Sequence, residues 1–189
     1  LTLYSLVTVR NMWLADLNYV KGRSSIEENL KAIKLNPTEP LYYSQLGYIQ
    51  ALIATQVIAP QIPATASQSA DLAEKAKGYL ELYTSQSIEN SQRAVDMNPY
   101  HLNLYKSQAR TLVTLATLDP KYFQSAIKAM IKITELSPTD PANYYNLGIL
   151  YTNLGKKEEA KMSFEKALEL YPLHLGSLNQ LKAQKNPTK

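Results

Sequence analysis

The stretch from Pro141 to Pro172 constrains the fold of this chain more than any other. Tyr144, Leu147, Gly148 and Tyr151 follow the order aromatic-x-x-Leu-Gly-x-x-Tyr, and Ala160, Phe164, Ala167 and Pro172 come at the spacing of a second helix and its stop. The small residues Gly148 and Ala160 let two antiparallel helices approach closely. Tyr144, Leu147, Tyr151 and Phe164 then fill the space between them, and Gly148 is expected to close-pack near Ala160.

Similar phrases recur. KAIKLNP, RAVDMNP, MIKITELSP and KALELYP end at Pro37, Pro99, Pro138 and Pro172. Proline cannot continue a helix and pushes its predecessor out of the α region, so Asn36, Asn98, Ser137 and Tyr171 are read as helix exits. The pattern resembles the tetratricopeptide repeat (TPR), a helix–turn–helix unit of 34 residues. It implies an all-α, right-handed superhelix of three to four helix pairs. The prolines are 62, 39 and 34 residues apart, so the earlier units carry insertions. The units run over about 3–37, 40–99, 102–138 and 141–172, within a single domain 1–189.

Within them, Gly22 is the expected break of the first unit, and Ser24 or Ser25 the cap of its second helix, with Glu27 and Glu28 completing a capping box. The second unit departs from the pattern after Tyr43, Leu46 and Gly47. Its first helix is expected to run to about Ala59, and PQIPATASQS to form a loop. A long helix then follows from near Ser69 to Asp96, with Leu72, Ala76, Tyr79, Tyr83, Ser87, Ser91 and Ala94 on one stripe and a kink at Gly78. This makes a long-armed hairpin, whose role over residues 48–83 the sequence leaves open. Asp119 and Pro120 read as N-cap and first residue of the next helix. A closing helix over 173–184 covers the last apolar face of the array, and KNPTK is a tail.

Composition narrows the function. Twenty basic against 16 acidic residues, with no long basic run, is too weak an excess to point to nucleic acid. The absence of cysteine removes disulfides and thiol chemistry. Fourteen tyrosines against two phenylalanines suit faces where a ring packs while its hydroxyl stays wet. His101 and His174 each follow a repeat-ending proline by two residues and read as exposed turn residues. The pairs Glu27/Glu28 and Glu158/Glu159 read as solvated helix faces. No catalytic, metal or cofactor constellation is present in this pattern, and a non-catalytic interaction module is expected.

TPR arrays line a concave groove with the first helix of each unit. Carried over residue by residue, that groove takes Leu41, Ser44 and Tyr48; Asn103, Lys106 and Arg110; and Ala142, Tyr145 and Ile149, with Asn153 further along. Lys106 and Arg110 stand one turn apart, either on a solvated face or against one anionic group. Arg110 occupies the position where chaperone-binding TPR domains have Asn. Tyr48 and Tyr145 fit groove contact and simple packing equally.

The order of phrases Val9–Gly22, Lys31–Gly47, Asn98–Arg110, Leu118–Ala129 and Ser137–Tyr151 is similar to the C-terminal TPR region of bacterial O-antigen ligase- or polymerase-like membrane proteins. The resemblance implies an extracytoplasmic module, periplasmic or at the cell surface, that binds a partner protein, a growing polymer or the envelope polysaccharide machinery. A chain opening at Leu1 rather than Met is expected to be a fragment or a processed product. Residues 1–9 then read either as the end of a membrane span or as the first turns of an amphipathic helix. The alternative is a free-standing cytoplasmic adaptor for short, anionic peptides.

Overall fold

A computed structural model describes residues 3–21 and 25–185. Among these residues the regular structure is helical, without a strand. The break expected at Gly22, the alternative cap Ser24 and the tail from Asn186 lie outside the described residues. No helix among the described residues is long and apolar enough to cross a membrane.

The chain divides into two compact units, Leu1–Leu118 and Asp119–Lys189. The first holds α1 (Leu3–Lys21), α2 (Ile26–Leu35), α3 (Pro40–Leu52), α4 (Ile62–Gln68), α5 (Ala70–Met97) and α6 (Leu102–Leu115). The second holds α7 (Tyr122–Leu136), α8 (Pro141–Asn153), α9 (Lys157–Leu170) and α10 (Leu175–Lys185).

Local chemistry sets the boundaries. Asn36, Asn98, Ser137 and Tyr171 are the C-caps of α2, α5, α7 and α9, with φ between −145° and −141° and ψ between 73° and 96°. This is the region that a following proline imposes on its predecessor. Two of these stops are also starts. Glu39 and Asp140 accept hydrogen bonds from the backbone N–H of Leu41 (3.1 Å) and Ala142 (3.0 Å), just ahead of Pro40 and Pro141 at the first helical positions. Ser25 caps α2, its Oγ accepting from Glu28 N at 3.4 Å. Gly155, at φ 69°, takes the left-handed conformation that ends α8, and its N–H reaches Thr152 O at 2.9 Å.

Three expectations are corrected. All of PQIPATASQS but its last residue is helical: α3 passes into a π-helical segment, Ile53–Ile58, a 3-10 turn, Ala59–Gln61, and then α4. Pro60 sits in the 3-10 turn and Pro63 in the first turn of α4, where the missing N–H has no intrahelical partner to lose. The chain breaks only at Ser69, which is extended (φ −162°, ψ 134°). Helix α5 has a different buried stripe in its first half: Ala73 is buried, whereas Leu72 and Tyr79 are exposed. Asp119 caps a turn rather than α7, its Oδ1 accepting from Lys121 N at 2.9 Å, and the helix begins three residues later.

In the first unit, Tyr42 packs among Ala15 and Ala32, while Tyr43 joins Ala94, Val95 and Leu104. The Tyr42 hydroxyl donates to Asp16 Oδ1 at 2.6 Å, tying α3 to α1. In the second unit, Phe164 and Ile133 are completely buried, as are Ala126, Ala160 and Ala167. Gly148 faces the Phe164 ring, one turn beyond the expected neighbour Ala160: a β-carbon there would lie 2.5 Å from Phe164 Cε1.

Candidate functional site

The first unit brings together residues from two of its helices. On α3, Leu41 is exposed, Ser44 is buried and Tyr48 is half-buried; on α6, Asn103, Lys106 and Arg110 are exposed. The Arg110 guanidinium lies over the Tyr48 ring, 3.9 Å from its centroid. Stacking on an aromatic face holds an arginine by cation–π attraction and leaves the N–H donors at its edge for an acceptor. A second pair, Arg93 over Tyr43 at 4.4 Å, joins α5 to α3.

Buried amides fix the spacing of α3 and α6. Gln50, 4% exposed, donates from Nε2 to Gln86 Oε1 (2.9 Å) and accepts at Oε1 from Asn90 Nδ2 (2.9 Å), clamping α3 to α5. Gln108 donates to Gln92 Oε1 (2.9 Å), and Gln92 donates to Asp96 Oδ1 (2.8 Å), clamping α6 to the same helix. A satisfied buried amide is directional, so these links set the register of both helices against α5. Sequence reasoning passed over Gln50 and Gln108. The available signal was a polar residue interrupting an apolar helical period.

In the second unit, Ala142 and Asn153 are exposed, and Tyr145 and Ile149 are half-buried. The Tyr145 ring packs 5.9 Å from Phe164 and 5.1 Å from His174, centroid to centroid. Gly176 makes room for it, because a β-carbon there would stand 2.8 Å from the Tyr145 ring. Tyr145 is thus engaged by the start of the closing helix, whereas Tyr48 carries Arg110.

Neither histidine is an exposed turn residue. His101 is half-buried as the N-cap of α6. His174 Nδ1 accepts from Ser177 N at 3.2 Å and lies 3.0 Å from Ser177 Oγ, capping α10 with an imidazole. Both residues immediately precede a helix, where orphan N–H groups need an acceptor or a local turn. Glu27 and Glu28 share Lys31, at 2.9 and 2.8 Å, on an exposed face. The hydrogen bond from Lys31 holds the Glu27 carboxyl below its usual range. Glu159 lies 3.9 Å from Lys156.

Comparison with known proteins agrees with this architecture. Residues 141–172 match the tetratricopeptide repeat family. No curated protein matches the chain. Among solved structures, a MamA RS-1 double mutant is 12% identical, with a TM-score of 0.60 over 95% of this chain and 85% of its own. A crystal structure of MamA is 18% identical, with a TM-score of 0.57 over 92% and 85%. MamA from Desulfovibrio magneticus RS-1, from residue 41 to its end, is 13% identical, with a TM-score of 0.55 over 90% and 79%. At these identities the likeness is one of fold: the chain is a helical TPR-like array containing a tetratricopeptide repeat.

Proposed function

We propose that this chain is a non-catalytic interaction module that holds a protein or peptide partner through a carboxylate at Arg110. The observation that carries the reading is the stack of Arg110 on Tyr48, 3.9 Å apart, on an arginine that remains exposed. The free edge of a stacked guanidinium matches the two oxygens of an acidic side chain or a peptide C-terminus. Lys106, one turn earlier on α6, adds positive charge on the approach, and Asn103 a further polar group.

A panel of acidic and amidated peptides, titrated by calorimetry at two ionic strengths, tests this. The Lys106→Ala/Arg110→Ala double variant is expected to bind an acidic peptide at least tenfold more weakly and with a flatter salt response. Folding stays intact, because exposed charges contribute only about 0–1 kcal/mol to stability. Equal affinity and equal salt dependence in wild type and double variant overturn the reading.

For the setting, we infer from the order of phrases a polytopic O-antigen ligase- or polymerase-like parent, with this module on the extracytoplasmic face beside the envelope polysaccharide machinery. In the alternative, a free-standing cytoplasmic adaptor, the same Arg110 surface takes short anionic peptides. Reporter fusions to the full-length product separate the two: a periplasmic or surface signal supports the membrane parent, and a cytoplasmic one removes it.

A further inference from the structure

Helix α1 turns its apolar stripe outwards. Leu6, Val9, Trp13, Leu17 and Val20 are 56, 62, 61, 36 and 61% exposed. The opposite side, toward α2 and α3, carries the fully buried Ala15 with Asn11 and Asn18 half-buried beside it. At 3.6 residues per turn the five apolar residues fall within an arc of about 80°. A helix that needed only its own domain would place these side chains inward.

The spacing identifies the occupant. Successive members of the stripe are 3, 4, 4 and 3 residues apart, the three- and four-residue steps that keep one face of a helix on a partner helix. A bilayer surface requires apolar area but no such register. The pattern is also symmetric about Trp13: Leu6 and Val20 stand seven residues either side of it, and Val9 and Leu17 four. A stripe that reads the same in both directions complements a reversed copy of itself.

We infer that α1 is a homodimerisation helix, two copies pairing antiparallel about a two-fold axis at Trp13. Leu6 meets Val20 of the second copy, Val9 meets Leu17, and Trp13 meets Trp13, in a self-complementary interface. The charges obey the same symmetry. Arg10 and Asp16 lie three residues either side of Trp13, so each Arg10 is level with the second copy's Asp16. Parallel pairing would instead set Arg10 level with Arg10. Asp16 is already held in place, since its Oδ1 accepts from the buried Tyr42 hydroxyl at 2.6 Å and Oδ2 remains for Arg10. The seam is one pair of helices over about 21 Å, so the dimer is concentration-dependent.

Sedimentation equilibrium of the 189-residue chain is expected to show the mass rising from 21.2 kDa toward twice that value with concentration. The emission of Trp13, the single tryptophan, shifts to the blue in parallel. Trp13→Glu remains monomeric with an unchanged helical spectrum, and Arg10→Glu weakens association several-fold. The chain has no native cysteine, so register can be read directly. Leu6→Cys mixed with Val20→Cys forms the mixed disulfide dimer in preference to either self-pair. A monomer at every concentration overturns the inference. So does self-cross-linking of Leu6→Cys, which marks a parallel pair. A monomer whose Trp13 emission shifts only on phosphatidylglycerol vesicles also overturns it and makes the stripe a bilayer contact.

Discussion

The hydroxyl of Ser87 donates a 2.7 Å hydrogen bond to the carbonyl oxygen of Gly47, forty residues earlier, joining α5 to α3. A β-carbon on residue 47 would lie 2.8 Å from Ser87 O and 3.0 Å from Ser91 N. Both are backbone atoms of a helix and cannot swing aside. Gly47→Ala should therefore cost about 1–3 kcal/mol by overpacking, read as a lower urea midpoint. Gly78 is the control, because nothing lies within 4 Å of a β-carbon there. Gly78→Ala should raise stability by up to about 1 kcal/mol on helix propensity.

Gly148 meets a side chain instead of backbone. The ring of Phe164, fully buried, occupies the space that a β-carbon would take. Gly148→Ala should destabilise by about 1–3 kcal/mol. Pairing it with Phe164→Leu should recover part of that loss relative to the sum of the single changes. Strict additivity in a double-mutant cycle would count against this contact.

Tyr42 predicts a pH dependence. Burial, and then its hydrogen bond to Asp16, raise the phenol well above the ordinary tyrosine range. The folded protein thus holds the Tyr42 proton more tightly than the unfolded chain. The stability from this difference is complete below the unfolded value of about 10 and is lost as pH rises from there through the folded value. Tyr42→Phe should cost about 1 kcal/mol at neutral pH and lose less stability than wild type above pH 10. Parallel denaturation profiles across that window check both statements.

Thr111 is completely buried in α6, and its hydroxyl has no hydrogen-bond partner among the described residues. An unsatisfied buried hydroxyl carries a desolvation penalty that an isosteric methyl avoids. Thr111→Val should raise stability by about 1 kcal/mol, read as a higher urea midpoint with an unchanged slope. A loss of stability would mean that the hydroxyl is satisfied.

The sequence alone determined the helical class and most helix ends. Those depend on proline, on capping side chains and on a period of 3.6, all local to the chain. It marked Gly148 as a site of close approach because a small residue at that point of the repeat has few other uses, and it placed Gly47 at the matching position of the second unit. The paired amides of Gln50 and Gln108 were decided only by tertiary structure, since each takes its value from a partner on another helix. The same holds for the helical path of PQIPATASQS: proline forbids an interior helical position but permits a first turn, and packing chose between them. The stack of Arg110 on Tyr48 spans 62 residues of sequence. Periodicity assigned both residues to a helix face, but only folding set them against each other.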